Sequence, residues 1–301
     1  MRQDFLSFAL TLVSITGRLV IGTPVMRDAV IDDSVVLNYA LTLEHLENAF
    51  YSGALAKFDE AAFKRAGLPA YARGRFQEIA AHEQAHVNLL SEALGSLATS
   101  PCTYNFSYTD VKSFAAFSEL LEGVGVSAYI GAAQSITNKA YLTVAASILS
   151  TEARHASWVA AAVNKFGGWS GAFDVPLDFN QVYSIAASVI AACPSTNPVL
   201  PVRAFPNLTL SNIKPGGNAD IKIENLVANG SSVDPTFVVF LTGLEKIFVP
   251  VHDGKVIVPA GLSGQVYVVA TNSSTDANDS TILAGPAILE FERDSHGHMA
   301  N

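Results

Sequence analysis

The chain has 301 residues, of which 50% are hydrophobic and 15% are charged, and its formal net charge is −9. This composition excludes a disordered protein, and the length is sufficient for two ordinary domains. No basic run is longer than Lys64-Arg65, so nucleic acid is not a predicted partner.

The N-terminal segment, residues 1–22, has the features of a secretory signal. Its apolar run from Phe5 to Ile15 suits a signal-peptide core and is too short to span a bilayer, so no transmembrane anchor is predicted. Asn-x-Ser/Thr sequons downstream also favour a secreted, glycosylated protein. The sequons are at Asn105, Asn207, Asn229, Asn272 and Asn278.

Residues 33–195 show the apolar periodicity of a helical bundle. It predicts long helices at 34–58, 69–94, 109–136 and 139–166, and a shorter fifth helix at 178–192. Short connections make the first and second helices, and the third and fourth, antiparallel neighbours. The second connection has about fifteen residues, enough to run the length of a 28-residue helix of about 42 Å. One long crossover among four long helices is the connectivity of ferritin-like bundles.

The chain has two cysteines, Cys102 in the long crossover and Cys193 after the fifth helix. In a secretory compartment such a pair most simply forms one disulfide. The alternative is two unrelated buried thiols.

The composition changes at about residue 202. About seven short β-rich runs, bounded by Gly, Pro, Asn and Asp, predict a small antiparallel β-sandwich over 202–292, immunoglobulin-like in its number of strands. Residues 293–301 are predicted to be disordered, and their two histidines are not proposed as a metal site. The predicted fold is therefore a two-domain α+β protein.

The second and fourth predicted helices each carry a Glu-x-x-His sequence, Glu83 with His86 and Glu152 with His155. Residues three apart point the same way on a helix. Di-metal sites of ferritin-like bundles use two such pairs and one glutamate from each of the other two helices. The carboxylates bridge and neutralise two cations, and the imidazoles complete the coordination shells.

The first and third helices supply the remaining glutamates. Glu44 is preferred to Glu47 because it continues the inward apolar stripe, and Glu122 is preferred to Glu119 because it shares a face with Tyr129. The predicted heights of the four glutamates along the bundle also agree with one another. Glu122 and Glu152 are equidistant from Thr137 in a predicted turn, and the midpoint of Glu44 and Glu83 falls near Phe63, in or beside the first connection. The predicted metal ligands are Glu44, Glu83, His86, Glu122, Glu152 and His155.

Further polar residues lie near these ligands in the sequence. Tyr51 and Tyr129 each follow a predicted ligand by seven residues and are candidate partners of the ligands, although core packing with a satisfied hydroxyl is the simpler role. Glu47 and Glu119 are further candidate partners. The adjacent residues His45 and His82 point away on a helix and are predicted to be surface or satisfied histidines.

Several stretches together resemble a known family. They are "LNYALTLEHLENAFY", "AAHEQAHVNLL", "LLEGVGVSAYIGAA" and "ITNKAYLTVAASILSTEARHASW", with the cysteines in "PCTY" and "AACP". The helical half resembles the ferritin-like family that includes plant desiccation-related and fungal stress-response proteins, and the β-rich half resembles its fungal branch. The resemblance implies a bundle with a carboxylate di-metal site and a secreted or wall-associated protein, and it does not imply one reaction.

Two functions are consistent with these patterns. One is a secreted protein with two iron or manganese ions, an oxidase or catalase-like oxidoreductase acting on O₂, peroxide or a small molecule in the stress response, with no catalytic residue assigned. The alternative is a non-catalytic structural or protective protein with a degenerate site, whose β domain mediates wall contact or self-association. Iron storage is disfavoured because a glycosylated two-domain chain does not readily form a closed shell.

Overall fold

The computed structural model describes residues 31–224, 227–228, 231–232, 234–294 and 296–299. The predicted signal segment 1–22 and the sequon at Asn229 lie outside these residues. Six α-helices lie in the first part of the described chain. They are α1 (Asp33–Lys57), α2 (Glu60–Arg65), α3 (Ala72–Leu94), α4 (Val111–Ala132), α5 (Lys139–Trp158) and α6 (Phe179–Ala187). In the described part of the chain, none of the helices has the length and apolar character needed to cross a membrane.

Three of the four long helices, α1, α4 and α5, begin at residues whose side chains cap free backbone N–H groups. Asp32 accepts from the Val35 N–H at the start of α1, and Asp110 forms a capping box with Ser113 at the start of α4. Asp33 accepts from the backbone N–H groups of Thr137 and Asn138, in the turn between α4 and α5. The start of α1 is thereby fixed beside that turn.

Two helix ends differ from the predicted ones. The helix predicted to end at 166 becomes a π-helical turn, Val159–Asn164, and stops at Lys165, which has a positive φ of 71°. The helix predicted to reach 192 ends at Ala187 because the chain then enters strand β2 (Ile190–Ala192). This strand pairs with β1 (Thr103–Tyr104) of the long crossover, next to the Cys102–Cys193 disulfide. The predicted disulfide is confirmed.

The second part of the described chain is a β-sandwich of two antiparallel sheets. One sheet has the order β3-β4-β9 and the other has the order β11-β10-β7-β8. A short hairpin, β5 with β6, lies apart from both. The strands are β3 (Leu208–Ser211), β4 (Asn218–Ile223), β5 (Val227–Ala228), β6 (Ser231–Ser232), β7 (Phe237–Thr242), β8 (Glu245–Pro250), β9 (Lys255–Ile257), β10 (Gly264–Thr271) and β11 (Ile282–Phe291). The predicted two-domain α+β fold is confirmed.

The two central strands of the four-stranded sheet, β7 and β10, are buried on both faces. In β10, Val266 and Val268 join the core between the two sheets, whereas Tyr267 and Val269 point the other way and pack with Val124 of α4. A strand buried on both faces is apolar at successive positions rather than at alternate ones. The uninterrupted apolar runs "FVVFL" of β7 and "VYVVA" of β10 are therefore explained by the docking of the sandwich onto the bundle. This docking was not predicted from the sequence.

Helix α4 makes this close contact through positions without side chains. A Cβ atom on Gly131 would overlap the backbone of Leu177, and one on Gly123 would overlap the side chain of Gln265. The Gln265 amide donates to the Leu120 carbonyl at 3.1 Å, and the Tyr267 hydroxyl donates to the Gly123 carbonyl at 3.0 Å. Glycine is thus required at Gly131, where α4 meets a backbone, and Gly123 leaves room for the side chain of Gln265.

The described part of the C-terminal tail is folded, although disorder was expected there. Arg293 forms an isolated β-bridge with Met299, and the Asp294 N–H donates to the His298 carbonyl at 2.8 Å. Met299 also packs against the sandwich core. These contacts hold residues 298–299 against the residues that directly follow β11.

Candidate metal centre

The centre of the bundle contains five buried glutamates, contributed by all four long helices. Each is at most 5% exposed: Glu44, Glu47, Glu83, Glu122 and Glu152. The helical periodicity places them inward, on the same faces as the apolar core residues. Burying this many carboxylates is unfavourable unless protons, hydrogen bonds or cations compensate their charge.

His86 is surrounded by three of these carboxylates. Its Nδ1 atom lies 3.2 Å from Glu44 Oε2, 3.1 Å from Glu83 Oε2 and 3.2 Å from Glu152 Oε1. One ring N–H cannot donate well to three oxygen atoms at once. The four groups offer one nitrogen and three oxygens that all lie within 4.8 Å of one another.

His155 has an equivalent environment on the other side of the cluster. Its Nδ1 atom lies 3.2 Å from Glu83 Oε1, 3.2 Å from Glu122 Oε2 and 4.0 Å from Glu152 Oε2. These four residues form a second group of donors within 4.8 Å of one another. Each Glu-x-x-His sequence therefore contributes to a four-residue group.

Glu83 and Glu152 belong to both groups. Glu83 directs Oε2 toward His86 and Oε1 toward His155, and Glu152 directs Oε1 toward His86 and Oε2 toward His155. Among the residues that the structure describes, Glu83 Oε1 and both Glu152 oxygens are buried without a hydrogen-bond partner. Two carboxylates that divide their oxygens between two imidazoles have the arrangement of bridging ligands between two cations.

Two tyrosines connect the helix pairs across the cluster. Tyr51 of α1 donates its hydroxyl hydrogen to Glu122 of α4, and Tyr129 of α4 donates to Glu44 of α1. Burial raises the pKa of both hydroxyls well above the usual value, so both remain donors. The sequence analysis named both tyrosines as candidate partners of the predicted ligands but favoured core packing with a satisfied hydroxyl, and each hydroxyl here donates to a glutamate of the cluster. The pairing across helices gives the cluster an approximate two-fold arrangement.

The protonation of the cluster reflects its burial. Burial raises the pKa of Glu44 to about 7 and raises the pKa of Glu47 and of Glu152 well above the usual range. Burial alone would lower the pKa of His86, but the carboxylates of Glu152, Glu44 and Glu83 raise it to about 12.

Burial likewise opposes the charged form of His155, and the Glu122 and Glu83 carboxylates overcome it and raise its pKa to about 10. Without metal, protons therefore supply the positive charge that the cluster needs. Because a ligating imidazole must give up its Nδ1 proton, metal binding would release protons.

Glu47 borders the cluster without belonging to either four-residue group. A Cβ atom on Gly125 of α4 would lie 3.1 Å from Glu47 Oε1 and 3.5 Å from Glu152 Oε2. The absence of a side chain at Gly125 leaves room for both carboxylates. The negative charge of Glu152 is the largest of the charge effects that raise the Glu47 pKa.

The structure places two predicted neighbours differently from the sequence analysis. Glu119 is outside the cluster: it accepts from the Asn164 amide and lies near Glu290 and Glu292 of the sandwich. His82, predicted to point away, stacks on His155, with its Nδ1 2.9 Å from His155 Nε2.

The sequence signal for His82 was its position immediately before Glu83 and four residues before His86. His45 is satisfied as predicted, because its Nε2 lies 3.1 Å from the Thr99 carbonyl oxygen.

Comparison with known proteins identifies relatives of this part of the chain. Residues 32–165 match the family model described as the ferritin-like domain. The chain is also 28% identical, over 174 residues, to Protein rds1 of Schizosaccharomyces pombe. That alignment covers 58% of this chain and 43% of the length of the yeast protein. The matched residues include both four-residue groups.

Proposed function

We propose that the helical part of this chain, whose residues 32–165 match the ferritin-like domain model, binds two ions of iron or manganese and acts on dioxygen or peroxide. Glu44 and His86 would hold one ion, and Glu122 and His155 would hold the other. Glu83 and Glu152 would bridge the two ions.

The observation that carries this proposal is the divided orientation of Glu83 and Glu152. Each directs one oxygen to each imidazole, and three of these four oxygens are buried without a hydrogen-bond partner in the described part of the chain. Unpaired buried carboxylate oxygens are costly, and two divalent cations would neutralise them. Mixed imidazole and carboxylate donors suit iron and manganese.

The surroundings of the cluster favour a small reactant. The four ligating glutamates are at most 1% exposed, and the side chains of His86 and His155 are 12% and 7% exposed. The two histidines are therefore the most solvent-exposed members of the cluster, and the glutamates are enclosed by protein. Bound iron or manganese would supply redox chemistry to a reactant as small as dioxygen or peroxide.

Residues beside the ligands would fix their orientation. Tyr51 and Tyr129 donate to Glu122 and Glu44, leaving the second oxygen of each glutamate facing a histidine. His82 contacts the Nε2 atom of His155, so the Nδ1 atom of that ring is directed into the cluster. Such outer contacts commonly set the affinity of a metal site.

Elemental analysis of the purified protein is the direct test. We expect about two equivalents of iron or manganese in the parent protein and loss of most of the metal in the double variant Glu152→Ala, His155→Ala. Glu92→Ala, an exposed glutamate on α3, is the matched control and should keep the metal. Full occupancy in the double variant would refute the ligand assignment.

A second candidate function is a structural protein with a metal-free cluster. The raised pKa values of His86 and His155 favour it, because two imidazolium ions and protonated glutamates can balance the buried charge without metal. A parent protein that contains no iron or manganese, and takes up neither when they are added, would establish this second function.

Secretion is part of the proposal and is supported by the covalent structure. The Cys102–Cys193 disulfide suits an oxidising compartment, and the sequon asparagines Asn105, Asn272 and Asn278 are exposed. Asn207 is half-buried. Treatment of the protein from the culture medium with an N-glycosidase should lower its apparent mass, and an unchanged mass would contradict glycosylation.

A further inference from the structure

A second group of carboxylates lies where the bundle meets the sandwich. It consists of Glu119 of α4, Glu290 of β11 and Glu292, which directly follows β11. We call these three residues the junction cluster. Alternation along β11 directs Leu289 and Phe291 into the sandwich core, so Glu290 and Glu292 are directed toward α4.

The carboxylates of the junction cluster converge without compensation. One oxygen from each residue lies within 4.8 Å of the other two. Glu290 Oε1 and Glu292 Oε2 are shielded from solvent and, within the described ranges, have no hydrogen-bond partner. All three residues are partly buried, and the carboxyl group of Glu290 is the most enclosed of the three. Glu119 accepts one bond, from the Asn164 side chain.

Besides the three glutamates, the charged side chains that line the adjoining cleft are one arginine, which donates to neutral groups, and two aspartates. Arg293 lines the same cleft, but its Nε donates to Ser263 Oγ at 3.0 Å and its Nη1 donates to the Gly297 carbonyl at 2.9 Å. Asp174 and Asp294 also line the cleft and add negative charge. None of the ion pairs found among the described residues includes Glu119, Glu290 or Glu292.

Burial makes this cluster electrostatically unfavourable. Burial raises the pKa of Glu119 to about 7 and that of Glu292 to about 8, and it raises the pKa of Glu290 well above its usual range. The repulsion between these carboxylates adds to the effect on Glu290 and Glu292. A cation among the three oxygens would remove both penalties.

We propose that Glu119, Glu290 and Glu292 form a calcium site that joins the ferritin-like domain to the β-sandwich. The donors are all oxygens, which hard cations prefer. Calcium–oxygen distances of about 2.3–2.6 Å allow ligand atoms up to about 5 Å apart, and the three oxygens lie within 4.8 Å of one another. The adjoining cleft of about 480 Å³ has room for the water molecules that would complete the six to eight ligands of calcium.

This site is independent of the metal centre in the bundle. It contains no histidine, it uses residues from both domains, and none of its residues belongs to the two four-residue groups around His86 and His155. An ion here would bind the folded chain with its domains docked, and it would therefore raise the unfolding temperature.

Calcium titration of the full-length protein tests the proposal. After removal of metals with EDTA, we expect added CaCl₂ to bind at about one equivalent and to raise the unfolding temperature. Glu119→Gln, Glu290→Gln and Glu292→Gln should each weaken calcium binding about tenfold or more, because the charge of the ligands tunes calcium affinity. These variants should fold, since each replaces an uncompensated carboxylate with a neutral amide of similar shape.

Two controls separate this site from other acidic groups. Glu245→Gln changes an exposed glutamate of the same sandwich and should leave the calcium response unchanged. The Glu152→Ala, His155→Ala variant should keep the response although its bundle centre is disabled. The proposal is overturned if calcium neither binds nor stabilises the parent protein, if the three glutamine variants respond like the parent, or if Mn²⁺ binds at the junction in preference to Ca²⁺.

Discussion

The two acidic clusters of this protein each include a glutamate of α4 and differ in their donor atoms. In the bundle, Glu122 lies beside the imidazole of His155 and accepts from the hydroxyl of Tyr51. At the junction, Glu119 is accompanied by two glutamates and the amide of Asn164. The same helix therefore contributes Glu122 to a nitrogen and oxygen donor set and Glu119 to an oxygen donor set. The first suits iron or manganese, and the second suits calcium.

The clusters also differ in how their charge is balanced without metal. The histidines of the bundle have raised pKa values and can act as internal cations. The junction cluster contains only acids, which can become neutral only by binding protons. Removal of metal should therefore affect the two regions differently.

The largest expected effect is on metal content, which should fall further when a bridging ligand of the bundle is replaced than when a terminal ligand is replaced. Glu83→Ala should remove both ions because Glu83 belongs to both four-residue groups, whereas Glu44→Ala should leave about one ion at the His155 side. Elemental analysis of the two variants measures the difference, and neither change should alter calcium binding at the junction. Equal metal content in the two variants would show that Glu83 is not a bridge.

The next effect concerns the pH dependence of the metal-free protein. Glu44 and Glu119 each have a pKa raised to about 7 from an ordinary value of 4.5. The folded state then holds protons that the unfolded state releases between about pH 4.5 and 7, so stability should fall as the pH rises through this window. The slope is about 1.4 kcal/mol per pH unit for each extra proton held.

Urea unfolding in EDTA at pH 5, 6 and 7 measures this loss. Glu44→Gln and Glu119→Gln should each make the dependence shallower. Added manganese should reduce the part of the pH dependence that comes from the bundle, and added calcium should reduce the part that comes from the junction cluster. Equal stability of the metal-free parent at pH 5 and pH 7 would contradict the raised pKa values.

A smaller effect on stability is expected when glycines of α4 that face different neighbours are replaced by alanine. Gly131→Ala should destabilise the protein by about 1–3 kcal/mol, because the new Cβ meets the backbone of Leu177, which cannot move alone. Gly125→Ala meets only the Glu47 and Glu152 side chains, which can shift, and the higher helix propensity of alanine offsets part of the crowding.

Thermal unfolding of both variants measures this difference. Gly74→Ala, which has open space around it, serves as the control and should be neutral or slightly stabilising. A Gly131→Ala variant as stable as the control would contradict the close approach of α4 to the segment before α6.

The smallest expected effect comes from the tyrosines of the bundle. Tyr51→Phe and Tyr129→Phe each remove a donor to a ligating glutamate and should cost about 1–2 kcal/mol in the free energy of unfolding. Calcium binding at the junction should be unaffected. Because the two bonds are related by the approximate two-fold arrangement, unequal effects on metal content would show that the two metal positions are not equivalent.

Much of the bundle could be predicted from the sequence. The periodicity of the long helices and the spacing of the Glu-x-x-His pairs are local patterns, and they were sufficient to bring Glu44, Glu83, Glu122 and Glu152 to one level. The distance of each glutamate from its turn fixed that level, since antiparallel helices pair residues equidistant from the turn. The contact of His82 with His155 depends on how two helices pack, and helix spacing alone did not indicate it.

The sequence by itself determined the helical bundle and the inward face of each long helix, because these follow from a repeat of 3.6 residues. It also determined the seven strands of the two sheets, because these are β-rich runs bounded by turn residues. Only the tertiary structure decided that Glu290 and Glu292 face Glu119, and that β7 and β10 are covered on both sides. In the sequence "ILEFERD", alternating acids are typical of a strand face exposed to solvent. Whether such a face meets water or another domain depends on contacts between distant parts of the chain, and a periodic pattern contains no information about them.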